Sequence, residues 1–178
     1  PQIMVPVVRL GVLLPMFLTH DAGYGLASSA SPRVAPIHQA INEINNKADA
    51  VADHLLPNTQ LQFSFRDSKC DQRSSLYEAL HLVQDAGGGD GVSAISGAAC
   101  SSASASAAPV AAASNIPMIS PSSSSPTLSD GTAYPSFLRT ITSDTFTASM
   151  MVGVLGLLWN YSSVALVHSL DLYGSGGR

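Results

Sequence analysis

A chain of 178 residues is long enough for one domain, or one and a part of a second. Hydrophobic residues make up 46% of it and charged residues 11%, with a formal net charge of −4. Neither an acidic disordered tail nor a basic nucleic-acid binder fits those values, because self-repulsion and field would both be too weak.

Val7–Leu14 is a short apolar run closed by Pro15, and its brevity and branched residues predict a strand buried on both faces. A long polar loop containing Gly23, Gly25 and a Ser-rich stretch is expected next. From Arg33 to about Leu56 the apolar residues Val34, Ile37, Ile41 and Ile44 recur at helical steps, which predicts an amphipathic helix closed by Pro57-Asn58. Leu61, Phe63 and Phe65 then alternate with Gln60, Gln62 and Ser64, the period of a strand, up to Arg66-Asp67. Leu76, Ala79, Leu80 and Val83 place a second helix between Gln72 and Ala86, and the glycine-rich run Gly87–Gly91 cannot continue it.

Val92–Ile95 is predicted as a third strand, and the Ala- and Ser-rich segment Ser101–Ser114 as a third helix, since Ala is the best helix former. Ile116–Ile119 follows as a fourth strand, Pro121–Pro126 as a Ser-rich loop, and Phe137–Thr140 as a further extended piece. A helix over Phe146–Trp159 and a last strand over Val164–His168 complete the reading. Strands alternating with helices predict an α/β fold, a parallel sheet with helices on both faces. Ligands of such sheets sit outside the carboxyl ends of the strands, which directs attention to Asp67–Asp71, Gly97–Ser102, Ser120–Ser125 and Ser169–Gly174. The apolar windows Val5–Leu18 and Ala148–Trp159 are shorter than the ~20 residues of a spanning helix. The chain opens without Met and without a signal-peptide pattern, so any leader is expected to have been removed or never included.

Ser101 and Ser102 open a predicted helix, where backbone N–H groups lack partners and an anion is favoured. A hydroxyl there either caps the helix or holds a ligand carboxylate. Ser122–Ser125 reads alone as a turn between Pro121 and Pro126; placed at the same end of the sheet as Ser101, it suggests a site of hydroxyl donors with few charges. Cys70 and Cys100 each follow a predicted strand and read equally as a disulfide or as two free buried thiols. Without His at ligand spacing they do not suggest a metal site. No nucleophile elbow, phosphate loop or zinc-protease motif is present, and the five His lie in different elements. Asn160-Tyr161-Ser162 is a glycosylation sequon.

Arg66-Asp67-Ser68-Lys69-Cys70-Asp71, Gly97-Ala98-Ala99-Cys100-Ser101-Ser102 and Ile116-Pro117-Met118-Ile119-Ser120 with Ser122–Ser125, Pro126, Leu128 and Ser129 together resemble a known family. It is the receptor-family ligand-binding region, the type I periplasmic-binding-protein (Venus flytrap) fold of metabotropic glutamate, type B GABA and natriuretic peptide receptors. Tyr134–Thr140 and Trp159–Ser163 are similar to the glutamate type, and the resemblance runs from about Val8 to Gly174.

The resemblance implies a bridge between Cys70 and Cys100, and with it an oxidising, extracellular setting. It implies that Ser101 and Ser124, with Ser102 and Ser122 beside them, hold an amino acid or a relative, and that Tyr173 adds an aromatic contact from the second lobe. Extra residues after Trp159 and the stretch Leu170-Asp171-Leu172 depart from the family pattern there. Residues 7–140 are then lobe one and 141–178 the beginning of lobe two, so the chain reads as a fragment of a longer protein. The expected function is sensing by cleft closure in a class C G-protein-coupled-receptor-like protein, membrane-anchored and dimeric as a whole, with no cofactor, metal or nucleic acid. Competing readings are the ectodomain of a natriuretic-type receptor guanylate cyclase, a soluble transport-binding protein, and an α/β serine hydrolase using Ser101.

Overall fold

The computed structural model describes residues 6–20, 23–26, 30–84 and 91–175, with the backbone alone for 17–20, 23–26 and 30–33. Seven strands and five α-helices follow one another along the described chain: β1 Val7–Leu14, β2 Phe17–His20, β3 Gly23–Leu26, α1 Ala30–Asn45, β4 Gln60–Asp67 and α2 Gln72–Gln84. Then come β5 Ala94–Gly97, α3 Ser101–Ala113, β6 Met118–Ser120, β7 Phe137–Arg139, α4 Asp144–Gly153 and α5 Leu172–Ser175. Five strands form one parallel sheet in the order β4-β1-β5-β6-β7. The fold is α/β, as the alternation of strand and helix patterns predicts.

Alternate residues of β1 divide the core between the two faces. Leu13 packs with Ala79 and Leu82 of α2 and with Ala103, Ala107, Ala108 and Ala111 of α3. Val12 and Leu14 point the other way, with Leu10, Phe63, Phe65 and Ile37 of α1 around them. The apolar run Leu10–Leu14 that ends β1 is thus explained by burial on both sides. The small side chains of α3 let two helices share one face, and at Gly11 a Cβ would come within 3.0 Å of the Leu82 side chain.

Four expectations are corrected. The first helix ends at Asn45, eleven residues short of Leu56. There the Asn45 amide donates to the Leu61 carbonyl and accepts from the Leu61 N–H, both at 2.8 Å, which fastens the helix end to β4. Beyond it, Asn46 donates to Asp49 at 2.6 Å and Asp49 accepts from the Val51 amide at 2.9 Å. Such local bonds offer the backbone an alternative to helix. Secondly, part of the polar loop after β1 is an antiparallel hairpin, β2 paired with β3.

Thirdly, Val164–His168 is not a strand: no described strand lies beside it, and Val167 is 96% exposed. An isolated extended segment has no partner for its backbone groups, whatever its β-propensity. Finally, the helix expected over Phe146–Trp159 begins earlier, at Asp144, and passes after Gly153 into a π-helical turn, Val154–Leu158. The second helix is described to Gln84, so its expected last turn to Ala86 and residues 87–90 of the glycine run lie outside the described residues.

Candidate functional site

The chain leaves β1 to build β4 on one side and β5 on the other. Such a reversal opens a crevice at the carboxyl ends of β1 and β5. Gly97, the last residue of β5, has φ +133°, and a Cβ there would lie 2.0 Å from the Leu13 carbonyl oxygen. Only glycine allows the backbone to pass so close to β1, and this directs Ala98–Cys100 across the strand ends.

Helix α3 then starts at Ser101, with Cys100 at the cap position and no side-chain capping bond. Ser101 is therefore the first helical residue and not the cap. Its Oγ accepts the Ser125 N–H at 3.3 Å, which leaves its own proton to donate. The Cys100 sulfur is bonded to Cys70, with the two Cα atoms 5.4 Å apart and a sequence separation of 30. That bridge joins the loop after β4 to the start of α3.

The two serine loops meet. Ser122 Oγ donates to the Ala99 carbonyl at 2.8 Å, and Ser120 and Ser123 both reach the Ala98 carbonyl. Ser101 and Ser124 are 3% and 4% exposed, while Ser102 and Ser122 are half-buried. Arg139, at the end of β7, donates to the Ser125 carbonyl at 2.9 Å and to the Ser129 hydroxyl, and so holds the outer part of the loop.

Sequence reasoning missed one group. Ser124 Oγ donates to Asp144 Oδ2 at 2.9 Å, and the Asp144 N–H donates back to the Ser124 carbonyl at 2.9 Å. Asp144 is the first residue of α4, so this pair joins the serine loop to the helix that follows β7. Ser143-Asp144 ahead of an apolar run was legible as a helix start, but nothing in the spacing linked it to Ser124. On the other side of the sheet end, Asp71 caps α2: its carboxylate accepts the Ser74 N–H at 2.7 Å. That bond holds its pKa below the usual 3.8, against the opposing effect of burial.

Tyr173 lies in α5, which sits beside α3, the helix carrying Ser101 and Ser102; its side chain is 56% exposed. The loop Ser169–Gly174 does not follow a strand, contrary to expectation. Its Asp171 accepts from Ser169 Oγ and the Gly174 N–H at 2.7 and 2.8 Å, and its pKa is lowered, most by the Gly174 bond. Asn160 stands in an exposed turn, with φ 54°. The His81 ring lies on Tyr77 and the His38 ring on Phe63, while His168 bonds the Ser169 carbonyl. Among the described residues no cluster of His, Cys, Asp and Glu is arranged to hold a metal ion, and no helix is long and apolar enough to cross a membrane.

A family model described as "Receptor family ligand binding region" matches residues 37–178. Metabotropic glutamate receptor 4 of Macaca fascicularis is 32% identical over 196 aligned residues, which cover 96% of this chain and 20% of that protein. Human metabotropic glutamate receptor 8 is 30% identical over 159 residues, covering 82% and 17%. Mouse gamma-aminobutyric acid type B receptor subunit 1 is 29% identical over 163 residues, covering 90% and 15%. The chain spans 20% or less of the length of these relatives, which are class C G-protein-coupled receptors.

Proposed function

This chain belongs to the family of receptor ligand-binding regions, and on that premise we propose that it binds an amino acid or a close relative at the carboxyl end of its sheet. In this reading residues 7–140 form lobe one of an extracellular two-lobed domain, and 141–178 begin lobe two. The whole protein is a membrane-anchored, dimeric receptor that signals when its cleft closes on the ligand.

The observation that carries the reading is the pairing of Ser124 with Asp144 opposite a helix start that no side chain caps. A free amino acid has a carboxylate and an ammonium. The Ser101 hydroxyl, whose oxygen already accepts from Ser125, has a proton left for the carboxylate, beside the N–H groups of the first turn of α3. Ser124 has given its proton to Asp144, so both groups present oxygen lone pairs suited to an ammonium. Ser102 and Ser122 border these two poles, and Tyr173 supplies an aromatic surface against the ligand's carbon chain.

The test is titration of the isotope-labelled chain with L-glutamate and with gamma-aminobutyric acid, followed by NMR shifts of residues 98–102 and 120–125. Saturable shifts in both loops, lost with butyrate, which lacks the ammonium, support the reading. No saturable shift with either probe overturns it.

A further inference from the structure

Four hydrogen bonds converge at one point between the two serine loops. The Ala98 carbonyl oxygen lies 2.6 Å from Ser120 Oγ, 3.1 Å from Ser104 Oγ and 3.1 Å from Ser123 Oγ, and Ser104 and Ser123 are 2.8 Å from each other. All three serines are 0% exposed. A carbonyl oxygen has two lone pairs and each hydroxyl one proton, so the protons can be placed in only two patterns. Ser120 gives its proton to Ala98. Either Ser104 or Ser123 gives the second, and the other donates to its neighbour. Ser120 Oγ also accepts the Ser122 and Ser123 amides at 3.3 and 3.0 Å.

We propose that Ser123 is a positioning residue: through the Ala98 carbonyl it sets the separation of Ser101 from Ser124, and so the affinity of the site, without touching the ligand. This rests on the reading of the site given above. Ser123 lies between Ser122 and Ser124 in the loop, and Ala98 lies three residues before Ser101, so the bond between them ties the two poles together. Ser104 shares the same protons but is held independently by α3. When Ser104 is removed, Ser123 still donates to Ala98; when Ser123 is removed, Ser120 still reaches Ala98 and Ser122 still reaches Ala99, but the tie directly beside Ser124 is lost.

The experiment compares Ser123→Ala, Ser104→Ala and Ser124→Ala in the 178-residue chain, with Kd for L-glutamate and gamma-aminobutyric acid from NMR titration and Tm from thermal melts. Loss of one buried hydrogen bond that shapes the site should raise Kd roughly 3- to 10-fold in Ser123→Ala. Ser104→Ala should lower Tm comparably and leave Kd within about twofold. An unchanged Kd in Ser123→Ala, or an equal rise in Ser104→Ala, overturns the proposal while a weakened Ser124→Ala leaves the site reading in place. An unchanged Kd in Ser124→Ala overturns the site reading and this proposal with it. Should Ser123→Ala not fold, Ser123→Cys keeps the volume with a weaker donor, and a Kd equal to the parent's overturns the proposal in the same way.

Discussion

Ser124 and Asp144 hold each other twice, hydroxyl to carboxylate and amide to carbonyl, each at 2.9 Å, across a sequence separation of 20. The pair spans the crossing from the serine loop into α4. Asp144→Asn keeps the size and removes the charge, and so separates ammonium binding from packing. A hydrogen bond to a charged group contributes about 1.5–3 kcal/mol, so Kd for L-glutamate should rise roughly 10- to 150-fold. NMR titration of the variant checks this, and a Kd within error of the parent's removes Asp144 from the site.

The Cys70–Cys100 bridge closes a loop of 30 residues, for which chain entropy gives about 3–4 kcal/mol. It also holds a turn in which Lys69 and Cys70 both have left-handed backbone, φ 50° and 57°. Reduction, or paired Cys→Ser replacement, should lower Tm by many degrees. A non-reduced digest should yield the two cysteine peptides joined, and two free thiols would contradict the bridge.

Asp71 gives stability a defined pH dependence. Its folded pKa is depressed, most by the Ser74 amide bond, so its contribution is present above the unfolded value of 3.8 and is lost as pH falls through the lower folded value. Asp71→Ala should cost about 1 kcal/mol, as loss of a helix cap does, at pH 7. The difference from the parent should shrink in melts below pH 3. An equal difference at both pH values would contradict the assignment.

The sheet was legible because β1 is a short, mostly apolar run and Leu61, Phe63 and Phe65 alternate, and both patterns report burial that the fold provides. The glycine and serine loops were legible by position: each follows a strand, and they do meet, through Ser122 on the Ala99 carbonyl and the Ser125 amide on Ser101. What the sequence hid were relations between distant residues. Asn45 binds Leu61 and ends a helix that periodicity would have continued. Asp144 binds Ser124, and no local pattern encodes that contact. Val164–His168 failed for the opposite reason, since its β-branched residues satisfy the local rule but no described strand pairs with it.

Asn160 is exposed at the turn after the π-helical segment, and its neighbours Trp159 and Tyr161 are 62% and 60% exposed. Nothing in the described surroundings shields the sequon. Expression through a secretory pathway should therefore give a glycan on Asn160, removed by peptide N-glycosidase with conversion to Asp. Asn160→Gln should collapse the mass to the unmodified value. A secreted product of unmodified mass would contradict the prediction.

The last prediction concerns surface. Phe146, Met150, Met151, Val152, Leu157, Leu158 and Trp159 are all at least 60% exposed along α4 and the turn that follows, and Val164, Leu166 and Val167 extend the apolar area. Single exposed apolar residues are ordinary, but a continuous run of them is an association liability. The five-stranded sheet, in contrast, has strand β1 covered on both faces. The 178-residue chain should therefore bind a hydrophobic dye and self-associate with rising concentration. Charged replacements at Leu157 and Val167 should reduce both effects and leave Tm of the sheet region nearly unchanged, because neither side chain packs against the core. Light scattering and dye fluorescence of parent and double variant decide it. A monodisperse parent with a cooperative melt and no dye signal would show that the apolar run is covered in solution.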